Sequence, residues 1–214
     1  MWQRMLAAIM NGKLQSICLV RHGETAWSRS GQHTGLTDLP LTDRGEQNAR
    51  LLRERLAGIQ FAAVFKSPLQ RASRTCELAG FGPVAREDHN LMEWNYGNYE
   101  GLRSPEIHAQ NPDVQLFRDG CPGGESPAQV AARADAMIKS IRAIDGDVLL
   151  FSSGHFLRML AVRWLGLEPV VGKFFALDPA SVSLLTYEHV VSQPIIQSWN
   201  DTRHVVDEPG NTKL

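Results

Sequence analysis

The sequence predicts a single-domain, three-layer α/β/α sandwich around a mostly parallel central sheet, and three observations carry that expectation. Short apolar runs rich in β-formers, at 16–20, 61–65 and 147–151, read as strands buried on both faces. Segments with helical periodicity alternate with them, which is the order of βαβ units. No linker, composition shift or internal repeat divides the 214 residues, a length one large α/β domain accommodates.

Taken in order, residues 1–15 read as an N-terminal extension. Met1–Met10 is mildly apolar, but the stretch is short, and Asn11-Gly12-Lys13 follows it where an export signal would carry a small-residue cleavage site. The domain is expected over 16–203, with a C-terminal tail over 204–214. Its first strand, Ser16–Val20, stops at Arg21-His22-Gly23, and Gly31–Pro40 is a turn-rich loop. Thr42 offers a capping hydroxyl to a helix that runs to Ala57, with an apolar stripe of Ala49, Leu51, Leu52 and Leu56. Phe61–Phe65 is the second strand, ending at Ser67-Pro68, and Arg71–Ala79 is the helix after it. Val84–Asn90 is a third strand and its exit toward Glu93. Residues 101–127, rich in Pro, Gly and Asn, read as short helices and loops. Pro127–Ile144 is a helix, Asp147–Phe151 a strand, Phe156–Leu165 a helix, and Ser181–Glu188 with Ile195–Trp199 a closing pair of strands.

Composition narrows the function classes. Apolar residues at 43% and charged residues at 21% describe a globular chain, not a disordered one. A net charge of −1 supplies no basic field for nucleic acid. No apolar run approaches the ~18–20 residues of a membrane span, so neither nucleic acid nor membrane is an expected partner. Cys18, Cys76 and Cys121 are odd in number and widely spaced, which points away from a disulfide framework and toward a reducing cytoplasm.

In open α/β sheets ligands gather at the carboxyl ends of strands. Three such ends here carry reactive side chains: Arg21-His22-Gly23-Glu24-Thr25, Ser67-Pro68-Leu69-Gln70-Arg71, and Ser152-Ser153-Gly154-His155, with Glu93 following the third strand. A neutral imidazole between guanidinium groups suits attack on phosphorus. The arginines bind phosphate oxygens, and their field keeps the imidazole lone pair available. A nearby carboxylic acid can protonate the leaving oxygen. Singly, each feature has a structural reading: a strand-end histidine is usually packing, Arg71 alone a solvated helix residue, Ser-Pro a turn starter. The unbroken Arg-His-Gly-Glu-Thr string at a strand end outweighs them.

That string, Leu41-Thr42-Asp43-Arg44-Gly45, Ser67-Pro68-Leu69-Gln70-Arg71-Ala72 with Thr75, Glu93-Trp94-Asn95-Tyr96-Gly97, Gly123-Gly124-Glu125-Ser126 and Gly154-His155-Phe156-Leu157-Arg158 occur in order over residues 16–200. In them the chain resembles the histidine phosphatase superfamily, whose fold is phosphoglycerate mutase-like. The resemblance implies His22 as the nucleophile that carries a phosphohistidine, Arg21 and Arg71 as a clamp on the phosphoryl oxygens, and Glu93 as proton donor and then base. It also implies that Ser28, Thr34 and the loop around Gly35 line the phosphate pocket, with no metal and no cofactor.

One position departs from the family pattern. Many relatives read Ser-His-Gly-His where this chain reads Ser152-Ser153-Gly154-His155, so Ser153 occupies the place of a second catalytic histidine. Gly154 and His155 then fall where backbone or side chain touches the phosphate. The competing alignment gives the catalytic role to His155. Loss of a charged donor implies a rate lowered by about 10²–10³, whether in an attenuated natural member or through a deliberate His-to-Ser substitution. The expected activity is hydrolysis of small phosphorylated metabolites. The rivals are a phosphoglycerate mutase and a phosphate-ester-binding pseudoenzyme; with only 60 residues from Glu93 to Ser153 there is little chain for a mutase lid. A homodimer is a further possibility. His33, in the Gly-flanked loop near the pocket, is a candidate substrate contact but is expected rather as an exposed loop residue; Trp94 and Tyr96 either wall the site or pack in the core. Arg103, Arg118 and Arg158 are candidates to extend the positive surface for a second anionic group, with packing or an ion pair the favoured reading of Arg158. His89, His108, His189 and His204 read as structural or surface residues.

Overall fold

The computed structural model describes residues 14–205. Most of the expected N-terminal extension, 1–13, and most of the tail, 206–214, lie outside the described residues. The chain runs β1 (Ile17–Arg21), α1 (Ala26–Ser30), α2 (Asp43–Arg55), β2 (Ala63–Lys66), α3 (Gln70–Leu78), β3 (Ala85–Glu87), α4 (Ser104–Gln110), α5 (Leu116–Asp119), α6 (Pro127–Arg142), β4 (Val148–Ser152), α7 (Gly154–Trp164), β5 (Val182–Tyr187) and β6 (Pro194–Asp201). Short 3₁₀ turns at 82–84, 89–91, 97–99 and 169–174 fill the connections.

The strands form one sheet in the order β3-β2-β4-β1-β5-β6. The four on the β3 side run parallel, and β5 and β6 are antiparallel additions. Alternate residues of the central strands enter different cores, as the two-residue side-chain period requires. Ile17, Leu19, Val148 and Leu150 join α6 and α7 on one face. Cys18, Val20, Leu149 and Phe151 join Leu52 of α2, Leu56 just after it and Cys76 of α3 on the other. That is the three-layer sandwich the apolar runs predict.

Local chemistry fixes the helix ends. The Thr42 hydroxyl accepts from the Gly45 amide at 3.0 Å and caps α2, a contact worth about 1 kcal/mol. Ser126 and Gln129 form a capping box ahead of Pro127, and α6 then buries Val130, Ala134, Met137, Ile138 and Ile141 along one stripe. The helix α1 falls within a stretch the sequence analysis leaves unassigned. Its signal was the capping box of Thr25 and Ser28, present in a segment too short to show periodicity. Among the described residues no helix is long and apolar enough to cross a membrane.

Candidate active site

β1 and β4 are parallel neighbours, with Arg21 level with Ser152. Their carboxyl ends therefore bring His22 and Ser153 side by side, at the position where open α/β sheets bind ligands. A cavity of about 320 Å³ opens there, lined among others by Arg21, His22, Glu93 and Tyr96, and from the far side by His155 and Arg158.

The turn after β1 is tightly made. The Gly23 amide donates to Thr75 Oγ1 at 2.9 Å. A Cβ at Gly23 would lie 2.5 Å from the Gly45 carbonyl oxygen, so only glycine lets the turn close on the start of α2. Glu24, the acid of the Arg-His-Gly-Glu string, is buried and turned away from the cavity's chemistry. It accepts from the Thr42 hydroxyl at 2.8 Å and forms an ion pair with Arg44.

His22 is buried, and its Nδ1 lies 2.7 Å from the Gly23 carbonyl oxygen. A carbonyl only accepts, so the proton resides on Nδ1 and Nε2 keeps the lone pair. Burial pushes the imidazole well below its ordinary value, and the charges of Arg71 and then Arg21 push it the same way. His22 is thus a neutral base with one available nitrogen. Burial exceeds the arginine field, which sequence reasoning alone had credited.

Arg21 donates through Nη1 to the Leu177 carbonyl. Arg71 is fully buried and outside the cavity lining; it spans the carbonyls of Thr34, Gly35 and Thr37 at 2.8–3.1 Å. The Nε of each guanidinium is buried without a hydrogen-bond partner among the described residues. Burial lowers both groups from their usual value, and the Glu93 charge is the first influence raising them again.

Glu93 is held from three sides. Its carboxylate accepts the amides of Trp94 at 2.9 Å, His155 at 3.0 Å and Phe156 at 2.8 Å, the last two from the first turn of α7. The loop behind it is anchored by Arg133 of α6, which donates to the carbonyls of Asn90 and Met92 and pairs with Glu125 at 2.8 Å. Glu125 in turn accepts the Asn95 amide. This is the work of the Gly-Gly-Glu-Ser motif: Gly97, at φ +51°, approaches Gly123 and Gly124 so closely that a Cβ would lie 2.3 Å from the Gly124 nitrogen. The positioning roles of Arg133 and Glu125 were invisible in sequence because their partners lie up to 43 residues away.

The other expected site residues divide. Ser28, Thr34, Gly154 and His155 line the cavity, but the Ser28 hydroxyl is engaged with the Thr25 backbone in the α1 capping box. Gly35 is buried outside the lining; its amide donates to Glu100 and its carbonyl accepts from Arg71. Ser153 is fully buried, also outside the lining, and its Oγ has no hydrogen-bond partner among the described residues. His33 departs from the exposed-loop expectation: its Nδ1 meets the Leu102 carbonyl at 2.9 Å, and its ring stacks on His155 at 5.8 Å between centroids. His155 Nδ1 lies 2.5 Å from the Tyr96 hydroxyl. Burial pushes Tyr96 well up and His155 well down, so the hydroxyl donates and the neutral imidazole keeps its proton on Nε2.

Trp94 is core, with Nε1 donating to the Glu125 carbonyl, whereas Tyr96 is cavity wall. Arg103 and Arg118 are exposed and pair with Glu106 and Asp119, so neither extends the cavity's positive surface. Arg158, expected to pack or pair, lines the cavity; it donates to the Gly172 carbonyl and lies 4.6 Å over Phe117. Among the described residues no group of three or more His, Cys, Asp or Glu is placed to hold a metal ion.

Known proteins share the sequence and the fold of this chain. An acid phosphatase of Mycobacterium tuberculosis is 41% identical over 83% of this chain and 89% of its own length. A sedoheptulose 1,7-bisphosphatase of Saccharomyces cerevisiae is 33% identical over 89% of each. Among solved structures, the product of an open reading frame of M. tuberculosis superposes with a TM-score of 0.82 at 38% identity, over 87% of this chain and 97% of that one. The model of the histidine phosphatase superfamily, branch 1, matches residues 17–202, and the chain belongs to that family.

Proposed function

We propose that the protein is a phosphomonoesterase that hydrolyses small phosphorylated metabolites through a phosphohistidine on His22. The observation that carries this reading is the neutral His22, with Nε2 available, between two guanidinium groups whose buried Nε–H donors have no partner among the described residues. Such donors suit the oxygens of a phosphoryl group. Nε2 attacks phosphorus, the P–O ester bond breaks, and its electron pair leaves on the alcohol oxygen. Glu93 in its acid form supplies the proton to that oxygen. Water then attacks the phosphohistidine while Glu93 takes a proton from it; the P–N bond breaks, its electron pair returns to Nε2, and inorganic phosphate departs. Arg21 and Arg71 supply the positive charge at the phosphoryl group in both steps, so no metal is required. Gly154 and His155 border the phosphate from the β4 side.

Ser153 slows this cycle. A serine there carries no charge for the transferring phosphoryl group, where a histidine would stabilise the transition state more than the ground state. The unpartnered Ser153 hydroxyl favours a second reading, a protein that binds phosphate esters without turning them over. The reaction is expected to run in a reducing cytoplasm. Cys18, Cys76 and Cys121 are free and buried, and burial pushes each thiol up to about 12, consistent with inert core residues.

The test is a phosphatase panel with and without a chelator, coupled to acid quenching and mass spectrometry of the His22 peptide. Turnover that survives chelation, with acid-labile phosphate on His22, is expected. Binding without a trapped phosphohistidine selects the second reading. Activity lost to chelator and restored by a divalent ion overturns the mechanism.

A further inference from the structure

A second cavity, of about 360 Å³, adjoins the first and shares His33, Ser104, His155 and Arg158 with it. The parallel rings of His33 and His155, 12° apart in plane, border both. Beyond them the walls are Tyr99, Ile107, Val114, Leu116 and Phe117, from the segment carrying α4 and α5. Three of the polar side chains at its edge are bonded within the protein. His108 meets the Val114 carbonyl at 3.2 Å, Lys173 donates to Gln115 at 3.0 Å, and Arg158 lies over Phe117 with two nitrogens on the Gly172 carbonyl. No carboxylate lines it.

We propose that this side chamber receives the alcohol portion of the substrate and selects monoesters with an apolar body, aryl-methyl or alkyl, over polyhydroxylated sugar phosphates. The inference rests on the assignment of the phosphate to the His22 cavity. An apolar body that passes beside the stacked imidazole pair, which borders both cavities, leaves water for a chamber of five apolar or aromatic walls. A sugar would bring several hydroxyls against walls that are mainly apolar. Each hydroxyl left unpaired lowers affinity by about tenfold. The absence of a lining carboxylate and the presence of Arg158 and Lys173 also disfavour a cationic alcohol.

Calorimetry with non-hydrolysable phosphonates reads this without turnover. Benzylphosphonate is expected to bind at least about tenfold more tightly than methylphosphonate. Leu116→Trp, which fills the chamber from α5, should remove that advantage and leave methylphosphonate affinity unchanged. Gln115→Trp, at an exposed position, is the second filling variant should Leu116→Trp not fold. Benzyl phosphate should likewise exceed glucose 6-phosphate in kcat/KM, and only the former should fall in the filled variants. Equal affinity for the two phosphonates, or an advantage that persists with the chamber filled, overturns the inference. If the phosphonate preference stands while neither ester is hydrolysed, the phosphatase reading fails and the side chamber does not.

Discussion

β1 and β4 offer two parallel strand ends at the same level in register, and they are finished differently. After β1 the side chain is what the fold holds. His22 has its Nδ1 on the Gly23 carbonyl, Gly23 is fastened to Thr75, and both are pressed against the start of α2. After β4 the backbone is what the fold holds. The Ser153 carbonyl accepts from Leu157, and the amides of His155 and Phe156 are taken by Glu93, while the Ser153 hydroxyl has no partner among the described residues. The turn after β4 thus positions Glu93 well and contributes no charged side chain at 153. The chemistry is weighted toward β1.

The strongest way to break this comparison is at His22. His22→Ala should lower kcat by about 10⁴-fold or more while the protein keeps its thermal stability. A folded variant with more than a trace of activity would show that the β1 side does not carry the nucleophile. Next in size is Glu93→Gln, which tests what the β4 turn is for. It should reduce turnover of alkyl phosphates by about 10²–10⁴-fold and of an activated aryl phosphate much less, because the aryl oxide needs little protonation. The ratio of the two losses is the readout, since an amide facing three backbone N–H donors also costs stability. Equal losses contradict the acid role.

Restoring charge on the β4 side should move the rate in the other direction. Ser153→His is expected to raise kcat by about 10²-fold with a smaller change in KM. The competing alignment predicts little gain from Ser153→His and a dead His155→Ala. The structure gives His155 a different surrounding, bonded to Tyr96 and stacked on His33 at the passage into the side chamber. An inert Ser153→His beside a dead His155→Ala would transfer the catalytic role to His155.

What the sequence made legible follows the same divide. The β1 end was readable because its determinants are contiguous: an apolar strand, then Arg21-His22-Gly23 and, further on, Thr42 as a cap. The β4 end was readable as a motif but not as a geometry, since Glu93 reaches it from 62 residues away in chain order. His33 was misplaced on an exposed loop for the same reason, its anchors Leu102 and Tyr96 being distant in sequence. Residues 101–127 carry no long periodic segment. The wall they form depends on Phe117 meeting Trp94, Arg158 and Gly172, each on another element. Local patterns were legible; side chains placed by long-range packing were not.

The two buried imidazoles also set a pH dependence. Both His22 and His155 are pushed well below the ordinary 6.5 in the folded protein, chiefly by burial, with Arg71 and Arg21 adding to it at the first and Arg158 and His33 at the second. Below about pH 6.5 the unfolded chain therefore binds protons that the native state refuses, so their contribution to stability is present above that pH and is lost as pH falls. Tm should decline as pH falls below about 6.5, and His155→Gln should make that decline shallower. An identical acid slope in the variant would show that His155 is not held neutral.

The smallest expected effect is also the most direct comparison of the two strand ends, because it removes only one oxygen. Ser153→Ala deletes a hydroxyl that is fully buried and has no hydrogen-bond partner among the described residues. A buried, unpaired hydroxyl costs about 1–3 kcal/mol relative to one that is satisfied, so its removal should leave stability unchanged or raise it slightly. Catalysis should change by no more than about threefold, since a neutral hydroxyl binds ground and transition states almost equally and its loss appears mainly in KM. Thermal melts and initial rates on one ester check both halves. A drop of about tenfold or more in kcat, at unchanged Tm, would mean that the Ser153 hydroxyl donates to the phosphoryl group during transfer. In that case β4 would contribute side-chain chemistry after all, and the weighting toward β1 would have to be given up.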